Sequence, residues 1–445
     1  MTTGTTAREA DAHTLLLALF DSAVAAAHPD VCLSMHLPPV PAQGRLIIAG
    51  AGKAAAAMAQ AAERHYRELG GALDRITGFT TAPHGAAETL PGARPGVIRI
   101  VPARHPTPDE GSLRAAAETL ALARSATADD LVLVLLSGGA SSLWAAPAAG
   151  LDLDGKMALT RGLLKSGADI HEMNLVRRHV SRIKGGRLRK ATGARMLTLA
   201  ISDVPGDDPA TIGSGPTVAD PTTLAEARAV LDRHLPRMQA LGLHVPASVP
   251  AILSDPANET PKPEDPAFAS AEYRIIATPA RSLAAATDAA ARAGYRIVNL
   301  GDGVTGEARA VAQAHAGLAL EAKAAGRRAA ILSGGELSVT VRNAQGRGGR
   351  CQEYALALAI ALDGCPGVVA LAADTDGIDG GEGRVTDPAG VVIDPGTLTR
   401  ARHLDAKKML DNNDATAFFE AAGGLIVRGQ THTNVNDFRA ILIDP

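Results

Sequence analysis

Aromatic residues are scarce, with one Trp, four Tyr and six Phe in 445 residues. The core must then be filled by Ala, Leu, Val and Ile, and the stacking platforms that single-stranded nucleic acid needs are lacking. A formal net charge of −3 likewise argues against a nucleic-acid partner, which asks for a net basic face. Three widely spaced cysteines, Cys32, Cys351 and Cys365, make neither a disulfide framework nor a metal-type spacing, and fit a reducing compartment. No apolar run reaches the ~20 residues that cross a bilayer. The opening MTTGTTAREADAHTLLLALF lacks the basic start and small-residue cleavage site of a signal peptide. The expectation is a cytoplasmic protein with no membrane partner.

What remains is globular, with 46% apolar and 20% charged residues. The length exceeds one ordinary core, so we expect two domains. Apolar strand-like runs alternate with Ala-rich helical stretches: RLIIAGAG, VIRIVPA, LVLVLL and MLTLAI before residue 235, then YRIIATP, YRIVNLG, AAILS, VVALAAD and RAILID. Uniformly apolar strands between helices predict α/β sheets covered on both faces. Prolines at 236, 246, 250, 256, 261, 263 and 266 suggest a connection over residues 236–272. The expected domains are therefore 1–235 and 273–445, with the last strand free to pack back on the first.

Two strands end alike. LVLVLL runs into Ser137, Gly138 and Gly139, followed by Ser141 and Ser142; AAIL runs into Ser333, Gly334 and Gly335. Such turns let backbone amides approach an anion where a helix dipole favours it, although each also serves as a plain tight turn. AGAGKAAAAM carries Gly50 and Gly52 but matches neither the P-loop nor the full dinucleotide fingerprint, because Ala55 stands in the third glycine place. Lys53 opens an alanine-lined helix, where the dipole repels a cation. A neighbouring anion explains it; a surface lysine is the bland alternative.

Residues 174–189 hold Arg177, Arg178, Arg182, Lys184, Arg187 and Arg189, either a solvated face or a clamp on a small polyanion. Asp203, Asp207 and Asp208 follow a strand; Asp203 suits proton acceptance, while the other two suit turns equally well. Arg347 and Arg350 lie in a glycine-rich loop that opens a helix, with fork geometry for phosphoryl oxygens.

Jointly, AGAGKA, HPTPDEGS, LSGGASSL, VRRHVSRIKGGRL, ISDVPGDDPATIGSGPT, SGGELSVTV, GRGGRCQEYAL, ADTDGIDG, NNDATAFF and TNVNDFRAILI resemble the MOFRL-type, or class II, glycerate kinases, some members of which carry the label hydroxypyruvate reductase. The resemblance covers nearly the whole chain. It implies a Rossmann-like N-terminal α/β domain, a second α/β domain, an active site in the cleft between them, and ATP- and Mg²⁺-dependent phosphorylation of D-glycerate at C2. It places catalytic roles on Lys53, Asp203 and Arg350, and metal or nucleotide contacts on Glu336 and Asp376. With it, Gly50, Gly52, Ser137, Gly138, Gly139, Ser141, Ser142, Lys184, Ser333, Gly334, Gly335 and Arg347 are expected around the nucleotide. The family pattern Gly-Pro-Thr-Gly-Thr-Asn is replaced by Gly429, Gln430, Thr431, His432, Thr433, Asn434, which bears on glycerate preference. An NAD(P)H-dependent reductase and a non-catalytic sugar-acid binder are the rival readings. Oligomeric state stays open, a homodimer included.

Overall fold

The computed structural model describes every residue except 1, 71–72, 93–95 and 382, and of residues 2–9 the helical backbone. The chain divides into two compact units, Cys32–Ile276 and a second made of Met1–Val31 with Ala277–Pro445.

The Cys32–Ile276 unit is built on strands β1 (Leu46–Ala51), β2 (Ile76–Pro83), β3 (Arg99–Ala103), β4 (Leu131–Leu136), β5 (Arg195–Ile201) and β6 (Ala271–Ala277), in the order β3-β2-β1-β4-β5-β6. The pairs from β3 through β5 are parallel. Both β1 and β4 are buried along their whole length, as their unbroken apolar sequences require. The strand order reverses between β1 and β4. That makes the carboxyl ends of those two strands the topological switch point, where open α/β sheets collect ligands.

The other unit contains β7 (Arg296–Asn299), β8 (Gly306–Glu307), β9 (Ala329–Ser333), β10 (Leu337–Ser338), β11 (Val368–Asp374), β12 (Gly390–Ile393), β13 (Leu425–Ile426) and β14 (Asp437–Ile443). Its main sheet has the order β13-β12-β11-β14-β9-β7 and is mixed, with β14 antiparallel to both β11 and β9. Side chains segregate with period two. Ile331, Ala370, Ala372, Ile441 and Ile443 pack on the helices Ala308–Ala324 and Arg350–Leu362. Ala330, Leu332, Leu371, Ala440 and Leu442 face the opposite layer, formed by Thr2–Ala27 and Pro279–Arg292.

Three features differ from the sequence-based expectation. The first helix, expected in domain 1–235, covers the second unit's sheet, with Leu16, Leu19, Phe20 and Ala23 in its core. That helix also contains an 18-residue stretch, Ala10–Ala27, of mean hydropathy 1.3, long and apolar enough by composition to cross a membrane. Residues 236–272 are folded into the Cys32–Ile276 unit rather than connecting two domains. Pro236 lies inside the helix Leu224–Ala240, Asp265 pairs with Lys190 at 2.7 Å, and Glu259 pairs with His179 at 3.2 Å. Finally, β14 is a central strand of the second sheet, not a visitor to the first.

Candidate functional site

At the switch point the turns after β1 and β4 are zipped together. The Lys53 amide donates to the Gly138 carbonyl at 2.8 Å and the Ala54 amide to Ser137 Oγ at 3.0 Å. Gly52, at φ +143°, has no room for a Cβ, which would sit 2.0 Å from Ser137 Oγ; at Gly50 the Leu135 carbonyl would be 2.7 Å away. These two glycines and the Ser137 hydroxyl therefore hold the two turns together, which is the role the geometry gives to Gly50, Gly52 and Ser137.

Gly139, at φ +86°, lets the His105 ring and the Lys53 stem close in; an added Cβ would lie 2.9 Å from the ring and 3.4 Å from Lys53 Cγ. Among the described residues, the amides of Gly138 and Gly139 donate to no protein acceptor. Two unused donors beside a half-buried lysine are an arrangement able to hold an oxyanion. Asp203, half-buried, follows β5, the neighbour of β4. At about 4.8 Å per strand spacing, its strand end stands about 10 Å from that of Lys53.

Behind the turn lies a second set. Lys184 Nζ donates to the Ser141 carbonyl at 2.9 Å, to Ser141 Oγ at 2.8 Å and to the Gly213 carbonyl at 3.3 Å. Arg177 Nη2 reaches the same Oγ at 3.0 Å, and Ser214 Oγ lies 3.1 Å from it. Burial and the charges of Arg177 and Lys156 hold the Lys184 ammonium well below the usual lysine range. Burial, then Arg177, pushes Lys156 down to about 8. Lys156 was not foreseen as a site residue, and Arg177 was weighed only within the basic run, as part of a solvated face or of a polyanion clamp. A lysine midway along an amphipathic helix carries no sequence signal, and Arg177 is one of six similar cations.

The rest of that basic run is structural. Arg178 pairs with Asp220 at 2.9 Å, Arg182 donates to the Pro147 carbonyl, Arg187 to the Asn258 carbonyl, and Arg189 to Ser270. Asp208 accepts from the Ala210 amide and the Thr211 hydroxyl, the turn role weighed for it. Ser142 Oγ closes on the Gly139 carbonyl at 3.0 Å.

In the other unit the outcome is different. Arg439, 1% exposed, occupies the second Ser-Gly-Gly turn from within. It donates to Ser333 Oγ at 3.1 Å, to the Gly334 and Gly335 carbonyls, and to Asp437 at 3.1 Å, while the Gly334 amide donates to Gly301. The Ser333 hydroxyl, the Gly334 and Gly335 carbonyls and the Gly334 amide are thus engaged within the protein, anchoring this turn to the sheet. Arg347 is also committed elsewhere, in a bidentate surface pair with Glu420 at 2.9 and 2.6 Å.

Arg350 opens the helix Arg350–Leu362 and is ringed by carboxylates: Asp437 at 2.7 Å, Asp374 at 2.8 Å and Glu336 at 3.1 Å. Burial alone would lower its pKa, but Asp437 and Asp374 raise it. The Glu336 side chain is 56% exposed, so that pair is the weakest of the three.

Glu336 is bound to Arg350, Asp376 accepts the Ile378 amide, and among the described residues no group of three or more potential metal ligands is gathered, which leaves room for a Mg²⁺ held by one or two carboxylates together with phosphates. The loop that departs from the family pattern has His432 at φ +59°, the left-handed region a glycine would take freely. It is tied to the Asp376 region through the Thr431 amide and the Asp376 carbonyl at 3.0 Å.

Residues 15–253 match a family model described as a domain of unknown function, DUF4147, and residues 329–437 match that of the MOFRL family. The chain is 35% identical to the D-glycerate 2-kinase of Thermotoga maritima, over 95% of this chain and 96% of that one. The chain belongs to the MOFRL, or class II glycerate kinase, family. A crystal structure of glycerate kinase from the same organism superposes with a TM-score of 0.81 at 34% identity, covering 97% of this chain and 99% of the other. A protein from Agrobacterium vitis that carries the provisional name hydroxypyruvate reductase is 44% identical over 98% of this chain and 95% of its own length. Both names therefore occur within the family, and the geometry has to choose between them.

Proposed function

We propose that the protein transfers the γ-phosphoryl group of ATP to the C2 hydroxyl of D-glycerate, giving 2-phosphoglycerate and ADP. The observation that carries this reading is the Lys53 cradle: a cation and two unused amides at the sheet's switch point, beside a carboxylate at the next strand end. Phosphoryl transfer needs positioning and charge neutralisation more than covalent chemistry. Asp203 takes the proton of the C2 hydroxyl, the C2 oxygen attacks phosphorus, and the bond to the ADP oxygen breaks. Lys53 and the Gly138 and Gly139 amides hold the charge on the phosphoryl oxygens. Arg350, for which the resemblance implies a charge-neutralising role, is held in orientation by Asp374 and Asp437, with Glu336 its most exposed partner. Mg²⁺, if bound, would supply positive charge to the nucleotide phosphates, its usual ligands in such enzymes being those phosphates, water and one or two carboxylates.

The reductase name is the specific observation in favour of a second reading. A dinucleotide-binding sheet places an acidic residue near the end of its second strand to hold the ribose. Here β2 ends in Ala82 and Pro83, followed by His84, so the geometry supports the kinase. Incubation with ATP, Mg²⁺ and D-glycerate, followed by phosphorus NMR, should show 2-phosphoglycerate. Oxidation of NADH by hydroxypyruvate, with no phosphorylated product, would reverse the choice.

A further inference from the structure

The Lys156, Arg177 and Lys184 cluster contains more positive charge than the fold uses. Lys156 is 4% exposed and Lys184 1%, and no carboxylate pairs with any of the three among the described residues. Lys184 at least satisfies its ammonium on Ser141 and Gly213. Among the described residues the Lys156 ammonium has no hydrogen-bond partner, and Arg177 Nε is buried with no partner, as are the Nε atoms of Arg178, Arg187 and Arg189. Unpaired buried charges are costly, and like charges in company more so. A fold tolerates such a group when a ligand completes it.

We propose that Lys156, Arg177, Lys184 and the Ser141 hydroxyl form a binding site for the phosphate group of a phosphorylated ligand. Three cations match a dianion better than a single carboxylate, and Arg177 keeps a planar donor, Nε, for a phosphate oxygen. Ser141 links this site to the Gly138 and Gly139 amides two and three residues earlier in the same turn. The choice of phosphate over carboxylate rests on the kinase reading; the existence of an anion site does not. The phosphate has two sources in that reaction, the nucleotide and the phosphorylated hydroxy acid.

The test is calorimetric titration of wild type, Lys156→Met and Arg177→Met with inorganic phosphate, ADP, 2-phosphoglycerate and D-glycerate, with thermal unfolding of each apo protein alongside. Removing an unpaired buried ammonium should raise the apo melting midpoint of Lys156→Met, by about 2–4 °C per kcal/mol gained, which also reports that the variant is folded. Phosphate affinity should fall by about 30-fold or more in either variant, the scale for breaking a buried charge contact. A parallel loss for ADP assigns the phosphate to the nucleotide, and a loss for 2-phosphoglycerate assigns it to the product.

Unchanged phosphate and ADP affinity in a folded variant overturns the proposal, as does a loss confined to D-glycerate, which would make this a carboxylate site. The kinase reading fails separately, if wild type binds phosphate here yet forms no product.

Discussion

Protonation of Asp379 should make the Ala277–Pro445 unit more stable as pH falls from 7 to 4, the reverse of ordinary acid destabilisation. The helix Arg350–Leu362 begins after Gly349, which has no side chain to cap it. Asp379 does so from a distant loop, accepting the Cys351 amide at 3.0 Å and the Gln352 amide at 2.8 Å. The fit admits only glycine at 349, where a Cβ would lie 2.2 Å from Asp379 Oδ1. Burial, opposed by those amides and reinforced by the Asp437 charge, pushes the carboxyl up from 3.8 to about 6. The folded state therefore binds more protons than the unfolded one between about pH 4 and 6, and stability is lost as pH rises through that window. A difference of roughly two units corresponds to about 3 kcal/mol, or about 6–12 °C in melting midpoint. Asp109 and Glu259, held down near 2, act oppositely but mainly below pH 4.5. Comparing wild type with Asp379→Asn across pH 4–7 removes their contribution. The stability difference, wild type minus variant, should grow by about 2–3 kcal/mol towards pH 4. A difference that stays flat would refute the assignment.

Arg347→Ala should leave glycerate turnover within about twofold and stability within about 1 kcal/mol, because its partner Glu420 is exposed; initial rates and urea unfolding check both. Arg439→Met should cost about 3–5 kcal/mol in urea unfolding, since it leaves buried Asp437 and the Ser333 turn without their common donor. Gly52→Ala should lower turnover at least about tenfold, because a Cβ meets Ser137 Oγ at 2.0 Å and parts the two turns that place Lys53; a steady-state assay reads this.

The α/β layering was legible because buried strands read as unbroken aliphatic runs, and the switch-point turn because serine and glycine follow one of them. Strand direction was not. The run FRAILI is equally apolar in either sense, so the antiparallel insertion of β14 between β9 and β11 left no mark on the sequence. The two Ser-Gly-Gly turns are identical in sequence and unlike in their partners. What separates them is Arg439, 106 residues after Ser333, entering one turn from the core. Arg347 had the composition of a phosphate ligand, but Glu420, 73 positions away, took its charge. Lys156 is the opposite case, a lysine whose importance comes from what the fold fails to place beside it. The departure at His432 was read from the family pattern alone, and its left-handed backbone shows why a glycine belongs there.

Everything in the functional account turns on Lys53 as the cation of the phosphoryl-transfer cradle. The decisive measurement is the rate of 2-phosphoglycerate formation by Lys53→Ala beside wild type, at saturating ATP and D-glycerate, with melting midpoints recorded for both. A fall of about 10²–10³ with the midpoint unchanged is the expected result. Wild-type turnover in the folded variant would contradict the account.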